Sequence, residues 1–268
     1  MDGVTPNRLR AGACAWLLTL QFFVVETIAQ LRQPGSYSRA RDVISDLGAS
    51  ASPAAQLMNA SFVLQAALIL AGALLLRPAL RGTSGRVAPV LLELAAAGVL
   101  LVGVFPSDGN AALHATGAVV HLLGGSLGLI ALAYSLRPRS EVLGTTLALL
   151  GLIGTAMTIF FIAGVTDYLG EGGTERAAAY VVPIGLAVAG VALWRLGTAP
   201  APSDGSPSRR EERARERADR AERERERDQA LEAATARRAT DGATADGAAD
   251  GTEDDVEDPW ASPRRRAD

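Results

Sequence analysis

The sequence predicts an all-α, polytopic membrane protein: a six-transmembrane-helix bundle followed by a charged tail. Three observations carry this. The 268-residue chain is 49% hydrophobic although roughly its last seventy residues are almost entirely polar, so apolar residues are concentrated upstream. Six upstream runs each approach the ~20 apolar residues that a helix needs to cross a bilayer core. The runs are built from Leu, Ala, Val and Gly with only 5% aromatics, a composition that lets helices approach closely in lipid.

Residues 1–10 form a short leading segment, and the spans fall at about 11–31, 54–76, 87–105, 111–136, 142–165 and 177–196. The first run is too long for a secretory signal, contains Glu26 and lacks a small-residue cleavage site, so it reads as a retained span. Most connectors are short and rich in breakers (RPALRGTSGR, PSDGN, RPRSE, TDYLGEGGTER), which makes successive helices antiparallel neighbours. Arginine placement gives a direction. Arg8, Arg10, Arg77, Arg81, Arg86, Arg137, Arg139 and Arg195 fall on one side, against Arg32, Arg39, Arg41 and Arg176 on the other. The positive-inside rule then predicts a plasma-membrane protein with both termini in the cytoplasm.

From residue 198 the composition changes. A Pro/Ser-rich linker, APAPSDGSPS, leads into an Arg/Glu block with many i,i+4 pairs and a single leucine, Leu231. That block predicts a solvated single helix or charge-mixed disorder rather than a coiled coil, which needs apolar heptad positions. The end is acidic and of low complexity, a composition of disordered segments, and Trp260 with Arg264, Arg265 and Arg266 is a candidate contact for a cytoplasmic partner. The tail carries 14 arginines against 19 acids, a net of −5, and the rest 12 against 10, a net of +2. The bilayer is the expected surrounding. No nucleic acid is expected as a partner, and oligomeric state is not legible. All 26 basic residues are arginine, which reads as coding bias of a GC-rich genome. The lone Cys14 excludes an internal disulfide and any cysteine cluster.

Ionisable groups within spans are costly in lipid and are functional candidates for that reason. Glu26 lies near the end of the first span, with Arg32 or Arg41 as candidate partners. Glu93 lies twelve residues from Phe105, about 18 Å along the axis, and His121 ten residues from residue 111, about 15 Å. Their spans are neighbours, so the two reach similar depth, where a carboxylate–imidazole pair can carry a proton or simply hold the helices together. His114 precedes His121 by two turns and opens the fourth span. With Asp108, Asp46, Asp42 and Asp167 it is a candidate outward-facing polar site, and Asp46, Asp108 and His114 have ligand chemistry suited to zinc. No HxxxH spacing accompanies them, and no cofactor is expected otherwise. Two histidines on one helix face exclude opposite axial ligation of a haem.

The first connector, residues 33–53, does not read as a floppy linker. Ser45 or Asp46 is positioned to cap a short helix from Leu47, Ser52-Pro53 gives a start signal for the second span, and Val43, Ile44 and Leu47 supply an apolar edge. The segment predicts a folded-back loop with Arg39, Arg41, Asp42 and Asp46 partly paired. Tyr37-Ser38 and Ile44-Ser45-Asp46-Leu47-Gly48 after a first span, with Phe105-Pro106-Ser107-Asp108 and then His114, resemble the bacterial and archaeal membrane family catalogued as domain of unknown function 998. The resemblance spans about residues 11–196. It implies a compact bundle of about six helices and brings no activity with it. Two functions stay open: a small transporter or sensor using Glu93 and His121, or an intramembrane lipid hydrolase using Ser45, Asp46, Asp108 and His114, with or without a metal.

Overall fold

The computed structural model describes residues 5–198 and 209–246. The chain divides into two units, Met1–Ala199 and Pro200–Asp268. Both are helical, with no strand among the described residues. The first unit holds six helical stretches long and apolar enough to cross a membrane: Pro6–Leu31, Ala55–Ala79, Gly82–Val104, Ala111–Leu136, Glu141–Ile162 and Glu171–Leu196.

Two of the six are discontinuous, which the sequence reading did not anticipate. The first divides into α1 (Pro6–Leu18) and α2 (Gln21–Leu31). At the join the backbone tightens: Thr19 N bonds Trp16 O and Leu20 N bonds Leu17 O, while the Thr19 hydroxyl also donates to Trp16 O at 2.5 Å. A hydroxyl bonding back onto its own helix competes with the regular ladder and bends it. The last span divides into α7 (Glu171–Ala179) and α8 (Val181–Thr198) at Tyr180. Pro183 accounts for this break. It has no N–H for the Ala179 carbonyl, and its ring crowds that carbonyl.

The other spans are α3 (Ala55–Leu76), α4 (Gly82–Val104), α5 (Ala111–Leu136) and α6 (Glu141–Ile162). The fourth matches its predicted range. Others begin earlier than hydropathy places them. The first starts at Pro6, where Thr5 accepts from Arg8 N and proline takes the first turn. The third starts at Gly82 and the sixth at Glu171, because polar first turns are still helical. Ser52 is not the start signal of α3. Ala54 holds the cap position, and Ser52 Oγ accepts from Ala54 N and Gln33 Nε2 instead. The fifth span ends at Ile162 rather than residue 165, closed by Gly164 at φ +70° with Val165 N bonded to Phe160 O and Gly164 N to Phe161 O.

Successive antiparallel spans place the connectors after spans one, three and five at one end of the bundle, the distal end. The connectors after spans two and four lie with the N-terminus at the proximal end. The core is a continuous apolar cluster in which Trp16, Met58, Leu92, Leu129 and Leu186 are fully buried.

In the second unit, α9 (Arg209–Asp246) is a 38-residue helix whose side chains are exposed throughout 214–234, Leu231 included. This fits the solvated-helix alternative. The linker 199–208 and the Trp260 and Arg264–Arg266 motif lie outside the described residues.

Candidate functional site

The distal end is organised by a connector that folds back onto the bundle. Ile44 and Leu47 are buried, as their apolar edge predicts. The helical turn runs over Ile44–Gly48, three residues earlier than expected, and neither Ser45 nor Asp46 caps it. The cap comes from α7: the Glu175 carboxylate accepts from Ile44 N. Asn59 on α3 donates to Gly48 O at 2.9 Å, holding the other end of the turn.

Beneath this connector lies a buried ion pair. Arg176 Nε donates to Glu26 Oε1 at 2.9 Å, with the two side chains 6% and 1% exposed. Glu26 thus pairs with neither Arg32 nor Arg41. Gln30 also donates to Glu26 Oε1 and Tyr180 to Oε2, both at 2.7 Å, so both carboxylate oxygens are used. The other arm of Arg176 holds the connector itself. Nη1 donates to the carbonyls of Arg39, Asp42 and Gly172, and Nη2 to the Tyr37 hydroxyl. The guanidinium also lies 5.6 Å from the Tyr37 ring centroid, a cation–π arrangement. Burial pushes the Tyr37 hydroxyl up to about 12, so it keeps the proton that it donates to Val43 O. Close approach of the connector to α7 requires Gly170, at φ +75°, where a Cβ would collide with the Ala40 carbonyl.

Just inside this assembly is a cavity of about 60 Å³. Its walls are mostly apolar, from Phe22, Phe62, Val99, Val102 and Pro183, and its polar lining is Ser45, Gln65, His114, His121 and Glu175. The histidine tautomers follow from their partners. His114 Nδ1 bonds Phe105 O at 2.8 Å and His121 Nδ1 bonds Ala95 O at 3.0 Å. A carbonyl can only accept, so each Nδ1 carries a proton, and Nε2 is the nitrogen left to exchange one with the cavity. Both helix breaks border this space: Phe22 follows one, Ala179 and Pro183 flank the other, and the Thr19 hydroxyl reaches Pro183 O at 3.3 Å.

A family model described as protein of unknown function (DUF998) matches residues 17–205. The chain belongs to this family. No curated protein and no solved structure matches it. The DUF998 match extends from within the first span to the linker before the tail and so contains the folded-back connector, the ion pair and the whole lining of the cavity.

Within this DUF998 bundle the predicted polar residues separate. Ser45 and His114 line the cavity, but Asp46 is exposed on the connector. Asp108 is taken by Ser50, which donates to it from its amide at 2.8 Å and from its hydroxyl. Asp46, Asp108 and His114 therefore do not form one group, and no set of three His, Cys, Asp or Glu side chains placed to hold a metal occurs among the described residues. Arg41 and Asp167 are exposed. His121 and Glu93 reach comparable depth yet face different spaces. His121 faces the cavity, whereas Glu93 lies in a groove between α3 and α4 with Oε1 buried and unpartnered. Sequence reading missed Glu175 and Gln65. Hydropathy starts the sixth span at residue 177 and so leaves Glu175 in a connector, and Gln65 is a single amide in an otherwise apolar run.

The Asp108 clip gives a pH expectation. The Ser50 hydroxyl and amide hold the Asp108 carboxyl below its ordinary value of 3.8. A carboxyl with a depressed folded pKa contributes stability above its unfolded pKa and loses it as pH falls through the folded one. The clip therefore holds at neutral pH and opens only in acid, below the ordinary carboxylate range. Hydrogen exchange at the Ser50 amide is expected to accelerate there beyond its intrinsic pH dependence. In Asp108→Asn that acceleration is expected to vanish. An identical profile in both proteins counts against the clip.

Proposed function

We propose that this integral membrane protein is a proton-coupled transporter of the plasma membrane, with His114, His121 and Glu175 as its proton-carrying groups and both termini in the cytoplasm. The observation that carries this reading is that both discontinuous spans border one cavity holding two imidazoles and a carboxyl. Broken helices at a central site are the recurrent device of secondary transporters, where freed backbone groups meet solute or ion. Ionisable groups inside a bundle likewise mark proton relays. Each imidazole has one nitrogen held by a carbonyl and the other open to take and release a proton. At about 60 Å³ the cavity suits protons and water. A solute needs the 300–1,000 Å³ typical of ligand sites and hence an opening of the bundle. The orientation rests on the eight-to-four arginine asymmetry. It directs the Arg/Glu helix of the tail toward cytoplasmic partners.

The hydrolase alternative draws less support, because Asp46 is exposed, Asp108 is held by Ser50, and the His114 Nδ1 is oriented by the Phe105 carbonyl rather than by a carboxylate. The test is proton flux in proteoliposomes carrying a pH gradient and a trapped pH dye. Wild-type protein is expected to dissipate the gradient. His121→Gln and Glu175→Gln are expected to slow it at least tenfold while remaining folded and inserted. Flux at wild-type rates in both variants rejects the reading.

A further inference from the structure

The proximal end carries a second polar site, separate from the cavity and independent of the transport reading. The connector between α3 and α4 meets the end of α5 in a cleft of about 370 Å³ lined by Arg81, Thr83, Ser84, Tyr134, Ser135 and Arg139. Arg139 is anchored there: Nη2 donates to Ala79 O at 2.8 Å. Its Nη1, however, is buried with no partner. A buried guanidinium N–H without an acceptor is costly, and such a group calls for one.

The charge balance points the same way. Burial holds Arg139 below its ordinary value, and the positive charge of Arg81 adds to this. Two like charges thus share one cleft. The acid nearest in sequence, Glu141, pairs with Arg137 at 3.8 Å, and neither Arg81 nor Arg139 joins an ion pair among the described residues. α4 begins at Gly82 in this cleft, and no side chain caps its first turn. Its free amides and the positive end of its dipole add to the demand for negative charge that the arginines set.

We propose that this cleft binds a phosphate group, first of all the phosphodiester of an anionic membrane lipid. A guanidinium fork matches two phosphate oxygens, and the hydroxyls of Thr83, Ser84 and Tyr134 supply further donors. Depth selects the lipid. The cleft lies at the start of span three and just past the end of span four, the ends that a bilayer crossed by these helices brings to its headgroups, on the side richer in arginine.

The test uses the full chain, purified and delipidated in detergent. Native mass spectrometry counts lipid retained after addition of phosphatidylglycerol or phosphatidylcholine, and a parallel arm follows thermal stability in inorganic phosphate. Phosphatidylglycerol is expected to be retained at least fivefold better than phosphatidylcholine, and Arg139→Gln to lose at least fivefold of that retention. Arg81→Gln is the control for folding, since its side chain is exposed and the Arg139–Ala79 bond survives; it is expected to lose retention as well. Stabilisation by inorganic phosphate with no lipid preference keeps the anion site and makes its occupant a soluble phosphate. Equal phosphatidylglycerol retention by wild type and both variants overturns the proposal.

Discussion

Arg176→Met is expected to destabilise the bundle by about 3–5 kcal/mol, the cost of removing one partner from a buried ion pair. The penalty is that size because Glu26, 1% exposed, would be left as a buried acid without its cation. Gln30 and Tyr180 still donate to that carboxylate, but neutral donors do not replace a guanidinium. The same substitution removes the bonds to the carbonyls of Arg39 and Asp42 and to the Tyr37 hydroxyl. The connector should therefore loosen as the bundle weakens. Two measurements check this: the unfolding midpoint in mixed micelles, and the rate of proteolysis within residues 33–53. Adding Glu26→Gln to the arginine variant should restore part of the loss, since the orphaned acid is then replaced by a neutral amide. A single-variant loss below 1 kcal/mol, or no recovery in the double variant, would mean that the pair is not the pin of this connector.

That ion pair also shows where sequence reasoning ends. Six spans and their order were legible because hydropathy integrates over about twenty residues and local errors average out. Span four was placed to the residue. The starts of spans one, three and six were not, since a helix extends into polar turns that hydropathy rejects. This displaced Glu175 and Arg176 from the bundle into a connector, and with them the partner of Glu26 and the cap of Ile44. Glu26 and Arg176 lie 150 residues apart. No periodicity links such positions, and Arg32 and Arg41 were nearer choices. The docked connector was legible from its own residues, through Ile44 and Leu47. The polar site was legible only in part: His114, His121 and Ser45 were singled out and do line one cavity, whereas their partnership with Glu175 depends on a helix break that Pro183 alone hinted at.

Gly98→Val is expected to be the most damaging change at the helix interface beside the cavity, at roughly 3 kcal/mol or more, toward and beyond the upper end of overpacking costs. A Cβ at Gly98 would stand 2.5 Å from His121 N and 2.6 Å from Gly117 O. Both are backbone atoms of α5, so no rotamer change relieves the contact. Gly117 reciprocates, with a Cβ there falling 2.7 Å from Gly98 O and from Leu101 Cβ. Here the backbones of α4 and α5 touch, the close approach that small residues permit in lipid. Valine must push α5 away, and His121 travels with it. Because Ala95 lies one turn from Gly98 on α4, separation stretches the bond from His121 Nδ1 to Ala95 O that holds the ring. Alanine returns some helix propensity and presents less volume, so Gly98→Ala should cost less, about 1–3 kcal/mol. The decisive comparison is made below the unfolding temperature of each variant. There Gly98→Ala should remain folded yet lose proton flux, because the ring that carries the proton has moved. Flux at the wild-type rate in a Gly98→Ala protein of measurably lower stability would separate this packing contact from the chemistry of the cavity.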